Sequence, residues 1–225
     1  MSEINLPTSA KQDEILNAVK TSGKVLKSKV FDVPGTYSWK VPIGVEEVYL
    51  TGCGGGGSGA HGPDGSSGYY GACGGGAHYV EYYPVKVDPE QTVSITVANG
   101  GAPVSNGGTS GANGLAGGIT TFGGYLSLSG GGGGNYSTRK GGVAGGPSGT
   151  NGSDGILHTS VNGIVPELRG GNCGTFIGGT LGSYNHIYPG GDGATGSGGG
   201  GVGINSEGTP SGKGGDGFLI IKWWE

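Results

Sequence analysis

Short segments in which apolar and polar residues alternate lie at both ends of the chain, and this period of two predicts β-strands. Two of these segments, residues 30–33 and 37–41, are separated by Pro34 and Gly35, which favour a turn. A third segment, residues 45–51, continues directly into a long glycine run. Residues 218–224 are apolar on both faces, which predicts a central strand. The remaining predicted strands cover residues 78–87, 92–98, 119–122 and 125–129.

Short strands separated by turn residues are typical of a β-sandwich, and here the two ends of the chain supply most of them. The segments between the strands are then large insertions. The side-chain core is predicted to contain Phe31, Val33, Tyr37, Trp39, Val48, Leu50, Phe218, Ile220 and Trp224.

The N-terminal segment has a helical period instead. Ser9 and Gln12 match a capping box, and a short helix is predicted over residues 10–20, with Gly23 as its stop. Its apolar stripe consists of Ile15, Ala18 and Val19. A helix of about three turns is marginal on its own, so the segment docks on a partner, packs with copies of itself, or frays. We therefore separate residues 1–28, an attachment segment, from a glycine-rich domain over residues 29–225.

Glycine contributes 59 of the 225 residues, much of it in uninterrupted runs such as residues 54–57, 74–76, 130–134 and 198–201. Such runs disfavour α-helices and pack poorly as strands, because glycine has no side chain. They can form an extended helix with three residues per turn, whose N–H and C=O groups point sideways. Buried copies must pair with neighbouring runs, which predicts a laterally hydrogen-bonded bundle.

A flexible, disordered tract is the alternative interpretation of this composition. Disorder usually accompanies high net charge and few aromatic residues. This chain has a net charge of −4, with 11 Tyr, 4 Phe and 3 Trp. A strict every-third glycine, which collagen requires, is absent. The predicted fold is therefore mainly β and irregular: a small β-sandwich with an inserted bundle of glycine-rich extended helices and a short N-terminal helix.

Between the glycine runs lie segments whose side chains are too large for a tight bundle, and we interpret them as turns at the ends of the rods. Loops on a rigid scaffold are where binding usually resides, and tyrosine offers contact area with little entropy loss. An alternative role for these tyrosines is to cap the bundle. The candidate binding residues are Tyr69, Tyr70, Asn135, Tyr136, Arg139, Tyr184, Asn185, His186 and Tyr188.

Charge and apolar pattern exclude several classes of partner. A pI of about 5.5 argues against nucleic-acid binding, which needs a basic face. No apolar run reaches the ~18 residues that span a membrane, and the first 30 residues contain no apolar signal-peptide core. We expect neither nucleic-acid binding, nor membrane insertion, nor a signal peptide.

Motifs for catalysis, metals or cofactors are weak. The glycine patterns lack the strand and helix that a nucleotide site needs, and the histidines and cysteines do not have zinc-site spacing. Three cysteines fit small buried residues in a reducing compartment, with a Cys53–Cys73 disulfide as the alternative. We predict no catalytic residue, metal or cofactor. A glycosidase would need two carboxylates from Asp154, Glu167, Asp192 and Glu207.

Three stretches carry a family resemblance: residues 31–45 (FDVPGTYSWKVPIGV), 48–57 (VYLTGCGGGG) and 215–223 (GDGFLIIKW). They resemble the glycine-rich domain of bacteriophage tail-fibre and adhesin proteins, over about residues 29–225. The chain is also similar to the tip adhesins of T-even-like phages, in which polyglycine-II helices form a layered sandwich and distal loops contact the host surface. The glycine-rich region of certain receptor tyrosine kinases is similar too.

The phage resemblance implies a receptor-binding adhesin at the tip of a tail fibre, made in the host cytoplasm and carried on the virion. Its partners would be a bacterial surface sugar or outer protein and, by position, a tail-fibre or baseplate protein contacted through residues 1–28. Homo-oligomerisation is left open. The alternatives are a structural connector without its own receptor and a surface-polysaccharide depolymerase.

Overall fold

The computed structural model describes residues 23–62, 71–105, 111–154, 169–179, 190–201 and 209–225. Within them the protein is mainly β and contains no helix; the helix predicted over residues 10–20 lies outside the described residues. The eight strands are β1 (Leu26–Phe31), β2 (Gly35–Lys40), β3 (Glu47–Cys53), β4 (Tyr79–Lys86), β5 (Thr92–Val97), β6 (Thr120–Phe122), β7 (Leu126–Leu128) and β8 (Phe218–Trp224).

The strands form two four-stranded antiparallel sheets. The first sheet has the order β1-β8-β3-β4 and the second has the order β2-β5-β6-β7. The central position predicted for residues 218–224 is confirmed, because β8 lies between β1 and β3. The first sheet thus joins the two ends of the domain, with Phe31 opposite Leu219 and Leu26 opposite Trp224.

The boundaries of β1 differ most from the sequence prediction. We expected a strand over residues 30–33, whereas β1 spans Leu26–Phe31. It is an edge strand in which Phe31 alone is buried, so its sequence carries no alternation that would identify it. Main-chain pairing with β8 defines this strand instead of side-chain burial.

Both sheets contribute to one hydrophobic core. Trp39 of β2 packs against Trp223 of β8 at 5.4 Å and against Phe122 of β6 at 6.0 Å between ring centroids. Of the nine predicted core residues, five belong to this core or pack against it: Phe31, Tyr37, Trp39, Val48 and Leu50. Phe218 and Ile220 lie instead in a second, smaller cluster, and Val33 and Trp224 are wrong, since they are 62% and 49% exposed. Because β8 is apolar at six of seven positions, its sequence could not show which set of alternate side chains faces the core. The side chains that face the core are those of Leu219, Ile221 and Trp223.

The glycine-rich part is held by backbone hydrogen bonds that repeat every three residues. In residues 54–61, the N–H groups of three consecutive residues donate to three different neighbouring runs, and the residue three positions further along donates to the first of these runs again. Gly54, Gly57 and Ala60 donate to His78, Gly75 and Ala72; Gly55, Ser58 and His61 donate to Gly118, Leu115 and Ala112; Gly56 and Gly59 donate to Gly215 and Gly212.

The carbonyl groups of the same run accept from three further neighbours. Those of Gly55, Gly56, Gly57 and Ser58 accept from the N–H groups of Gly131, Gly101, Gly199 and Gly134. Residues 54–61 are therefore surrounded by six other runs. All of residues 52–62 are buried, and pairing of this kind satisfies polar groups that water cannot reach.

A second central run, residues 72–78, repeats the arrangement. Cys73 and Gly76 donate to Ser153 and Thr150, Gly74 and Ala77 to Gly199 and Gly196, and Gly75 and His78 to Gly132 and Ser129. Residues 71–77 are also all buried. The two central runs contact each other through the bond from the Gly57 N–H to the Gly75 carbonyl, 2.9 Å long.

At many positions the neighbouring runs lie so close that only the hydrogen side chain of glycine fits between them. A Cβ placed on Gly57 would lie 2.0 Å from the carbonyl oxygen of Gly132, and one on Gly59 would lie 2.0 Å from that of Gly200. Gly132 is less restricted, because its nearest atoms would be 3.1 Å away, on Val143. Close approach of backbones is thus what glycine provides here.

We predict opposite effects for two Gly→Ala variants. Gly57→Ala should lower the free energy of unfolding by about 3 kcal/mol or more, since the methyl group overlaps a backbone that cannot move independently. Gly124→Ala should stay within about 0.5 kcal/mol, because a Cβ there meets nothing within 4 Å. Denaturant titration of both variants checks this, and equal stabilities would contradict the packing.

Candidate functional site

The glycine runs have a sheet end and a far end. Runs join the strands at Gly54, after β3, and at His78, before β4. Antiparallel pairing places Ala72 beside Ala60 and Ala112 beside His61, six to seven residues further along the bundle. We call the side reached by His61 and Gly62 the far end.

Five segments between the runs lie outside the described residues. The residues on either side of these segments form backbone hydrogen bonds with one another, on the side of the bundle away from the sheets. The bond between His61 and Ala112 joins the flanks of two segments, residues 63–70 and 106–110. Ser153 donates to Arg169 across residues 155–168, and Gly170 donates to Gly179. Gly190 donates to Pro210, and Ser211 to Val104. The chain therefore enters and leaves these segments on the same side.

A described turn, residues 135–140, lies at this far end between two runs. The Asn135 side chain organises it: its Oδ1 accepts from the Ser137 hydroxyl and the Thr138 N–H, both at 2.9 Å. The Asn135 N–H donates to the Lys140 carbonyl at 2.9 Å and closes the turn. Such local bonds are the reason why asparagine favours turns.

Tyr136 and Arg139 occupy this turn in different ways. The Tyr136 N–H donates to Asn113 Oδ1 at 2.9 Å, and its half-buried ring lies against Gly111, where a Cβ would come within 2.3 Å of the ring. Arg139 is exposed and has a φ of 62°, in the left-handed region. Non-glycine residues in this conformation store strain and are worth testing for function.

Asp154 ties the turn to the neighbouring run. Its Oδ2 lies 2.7 Å from the Lys140 Nζ, and its Oδ1 accepts from the Gly141 N–H at 2.8 Å. The Lys140 hydrogen bond, followed by the one from Gly141, holds the pKa of Asp154 below its usual value. Both side chains are more than half exposed, so the pair fixes geometry and adds little stability.

Three of the nine predicted binding residues are described, and Asn135, Tyr136 and Arg139 share this one turn. The other six, Tyr69, Tyr70, Tyr184, Asn185, His186 and Tyr188, lie outside the described residues. Sequence reasoning missed Asn113, which supports Tyr136, and considered Asp154 only as a catalytic carboxylate. The contacts of Asn113 with Tyr136 and of Asp154 with the turn both depend on how neighbouring runs are aligned, and no local sequence motif shows that alignment.

The three cysteines are buried and free. The neighbour of Cys53 is Cys173, since one Cβ position on Gly196 would lie 2.6 Å from the sulfur of Cys53 and 2.8 Å from that of Cys173. Cys53 and Cys73 therefore do not form the disulfide that the sequence left open. The contact with Cys173, together with burial, raises the pKa of Cys53, and burial raises the pKa of Cys73 to about 11.

A pH dependence follows from Cys73. The folded protein retains a thiol proton that the unfolded chain loses near pH 8.5, so the stability contribution is complete below that pH and is lost as pH rises towards 11. We expect the melting temperature to fall between pH 8 and 10.5, and to fall less steeply in Cys73→Ala. Thermal melts of both proteins across this range measure the difference, and parallel curves would contradict it.

A cleft of about 490 Å³ lies near the sheet end, between Asp32, Asp192, Lys213 and Asp216. Three of these four charged residues make structural contacts: the Lys213 Nζ lies 2.8 Å from each oxygen of Asp216, and Asp192 accepts from the Lys213 N–H. Among the described residues, no group of three or more His, Cys, Asp or Glu side chains is placed to hold a metal ion. Nor does any helix in this part of the chain have the length and apolarity to cross a membrane.

Comparison with known families gives one match. A family model described as a glycine-rich domain covers residues 32–224, from the residue after β1 to the end of β8. The chain belongs to this glycine-rich domain family. No curated protein matches it.

Proposed function

We propose that this member of the glycine-rich domain family is a receptor-binding adhesin at the tip of a phage or phage-like tail fibre. It would recognise a bacterial surface sugar or protein through segments at the far end of the bundle. The observation that carries the proposal is the common side on which these segments begin and end. A rigid scaffold that gathers several loops at one end is typical of binding proteins.

The rods in this proposal are polyglycine-II helices inserted into a small β-sandwich. Their support is the three-residue repeat of the hydrogen bonds and the six neighbours around residues 54–61, since this helix type has three residues per turn. Support for the sandwich comes from the core that side chains of both sheets share. Such a scaffold would hold the far-end loops without a large core beneath them.

The ligand contacts would come from aromatic and polar side chains of the far end. Tyr136 offers a ring and a hydroxyl, and Arg139 projects from an exposed turn that Asn135 and Asp154 hold in place. Sugars would stack on tyrosine rings, and a protein receptor would use the same rings as anchors, because Tyr and Arg dominate binding hot spots. Tyr69, Tyr70, Tyr184, Asn185, His186 and Tyr188 complete the proposed surface.

The opposite end of the molecule would attach to the virion. Residues 1–28 include the first three residues of β1, which is an edge strand of the first sheet, and the sheets lie away from the proposed receptor surface. A tail-fibre or baseplate protein would bind there, so that the far end projects towards the host. The protein would act by binding and without catalysis, after synthesis in the host cytoplasm.

The test combines attachment and stability. After a pull-down on a panel of bacterial cells identifies a bound strain, Tyr136→Ala with Tyr188→Ala should weaken attachment by about thirty-fold or more, the size of a hot-spot loss. The melting temperature should change little. Tyr125→Ala is the matched control, because Tyr125 is 42% exposed beside the sheets, away from the far end.

Three results would count against the proposal. Full attachment by a stable double variant would place the contact surface elsewhere, with residues 156–169 as the next candidate. Failure of the wild-type protein to bind any strain would favour a structural connector. Lower stability together with lost attachment would mean that these rings cap the bundle.

A further inference from the structure

Two of the three buried cysteines lie side by side where the first sheet meets the glycine runs. Cys53 is the last residue of β3, and Cys173 belongs to residues 169–179 of the bundle. Both are fully buried and belong to one cluster. A Cβ built on Gly196 would lie within 2.8 Å of both sulfurs. Residues 120 positions apart in the sequence thus bring their sulfurs to one point.

The two thiols also interact directly. The hydrogen bond between them lowers the pKa of Cys173 despite its burial, and the backbone of Ala77 acts in the same direction. Cys173 is therefore the thiol that ionises more readily, and the thiolate is the nucleophilic form of cysteine. A disulfide needs sulfurs about 2.0 Å apart and Cβ atoms about 3.8 Å apart, so sulfurs already in contact need little movement to bond.

Cys73 has the same burial and different surroundings. The groups that hydrogen-bond to its thiol are the backbones of Gly201 and Ser153, whereas Cys53 and Cys173 contact each other. Cys73 thus behaves as a small buried residue and serves as an internal comparison for the other two.

We infer that Cys53 and Cys173 form a disulfide when the folded protein meets a peroxide, and that this bond fastens β3 to the glycine bundle. The Cys173 thiolate attacks one oxygen of hydrogen peroxide, the O–O bond breaks, and the leaving hydroxide takes up the proton that Cys173 released. Cys53 then attacks the sulfur of the sulfenic acid, and the S–O bond breaks as the S–S bond forms. The second oxygen leaves as water with the Cys53 proton, so one peroxide is reduced to two waters.

A surface turn gives the oxidant its route to the pair. Cys173 and Phe176 exchange two backbone hydrogen bonds, and Gly174 and Thr175 between them are exposed. The Phe176 ring packs on the cluster of the two cysteines and also lines the cleft described above. Local opening of a short turn costs less than global unfolding, and hydrogen peroxide is small enough to use it.

The bond closes a loop that contains both central glycine runs, residues 54–61 and 72–78. A cross-link across a loop of about 120 residues strongly restricts the unfolded chain. The oxidised protein is therefore the more stable form. This chemistry needs only the contact between two thiols and does not depend on the proposed receptor surface.

The test treats the reduced, full-length protein with hydrogen peroxide under native conditions and then counts free thiols after unfolding. The count should fall from three to one, and the intact mass should fall by two hydrogens. Chymotrypsin cuts after Tyr69 and Tyr70, between Cys53 and Cys73, so its peptides should show Cys53 linked to Cys173. The melting temperature should rise by about 5 °C or more, and a thiol reductant should reverse the rise.

Three variants complete the test. Cys53→Ala and Cys173→Ala should each form no disulfide, whereas Cys73→Ala, the matched control at an equally buried position, should form it as fast as the wild type. Three intact thiols after a treatment that oxidises the unfolded chain would overturn the inference. So would a bond that includes Cys73 or joins two chains, or an oxidised protein that melts no later than the reduced one.

Discussion

The structure depends on one requirement: backbone N–H and C=O groups that leave water must find partners. Most proteins meet it within helices and sheets, with side chains burying the apolar surface around them. Here residues 52–62 and 71–77 are buried with few side chains to cover them, so other backbones provide the cover. Each hydrogen bond contributes only about 0.5–1.5 kcal/mol net, while an unpaired buried group costs about 1–3 kcal/mol. The runs are therefore stable as a set, and each needs its neighbours.

The sheets have a complementary role. Gly54 follows β3, His78 precedes β4 and Gly217 precedes β8, so strands with a conventional core fix the positions from which the central runs start. A second cluster of Cys53, Ala77, Cys173 and Phe218 lies where the sheets meet the glycine runs. Phe176 packs edge-on against both Tyr79 and Phe218 there, with ring centroids 6.4 and 5.9 Å apart. Side-chain packing thus sets the register from which the backbone pairing extends.

The sequence predicted the strands well because apolar alternation is a local signal. Residues 92–98 and 218–224 were predicted within a residue of β5 and β8. β1 was not, because an edge strand rich in lysine and serine is defined by its pairing with β8. The choice of Trp224 over Trp223 for the core failed for a related reason, since a uniformly apolar strand does not show which face is buried.

For the glycine region, the sequence predicted that the runs pair sideways but not which runs are neighbours. Composition indicated that the runs would pair sideways, but which run lies beside which depends on contacts between residues far apart in sequence, such as Gly57 and Gly199. The same limit applied to the site: Asn135 and Tyr136 were recognisable as loop residues, whereas their supports Asn113 and Asp154 come from other runs. Repeated glycine has no side-chain pattern from which such a register could be read.

The most direct measurement of this account is residue-resolved amide hydrogen exchange of the glycine runs. Because residues 54–61 and 72–77 are buried and bonded to several neighbours at once, their amides should exchange only through global unfolding, as slowly as those of β3 and β8. The exposed amides of the turn at residues 137–139 should exchange much faster. Fast exchange throughout residues 54–61 and 72–77, with slow exchange confined to the strands, would show a flexible tract beside a small sheet domain and would contradict the account.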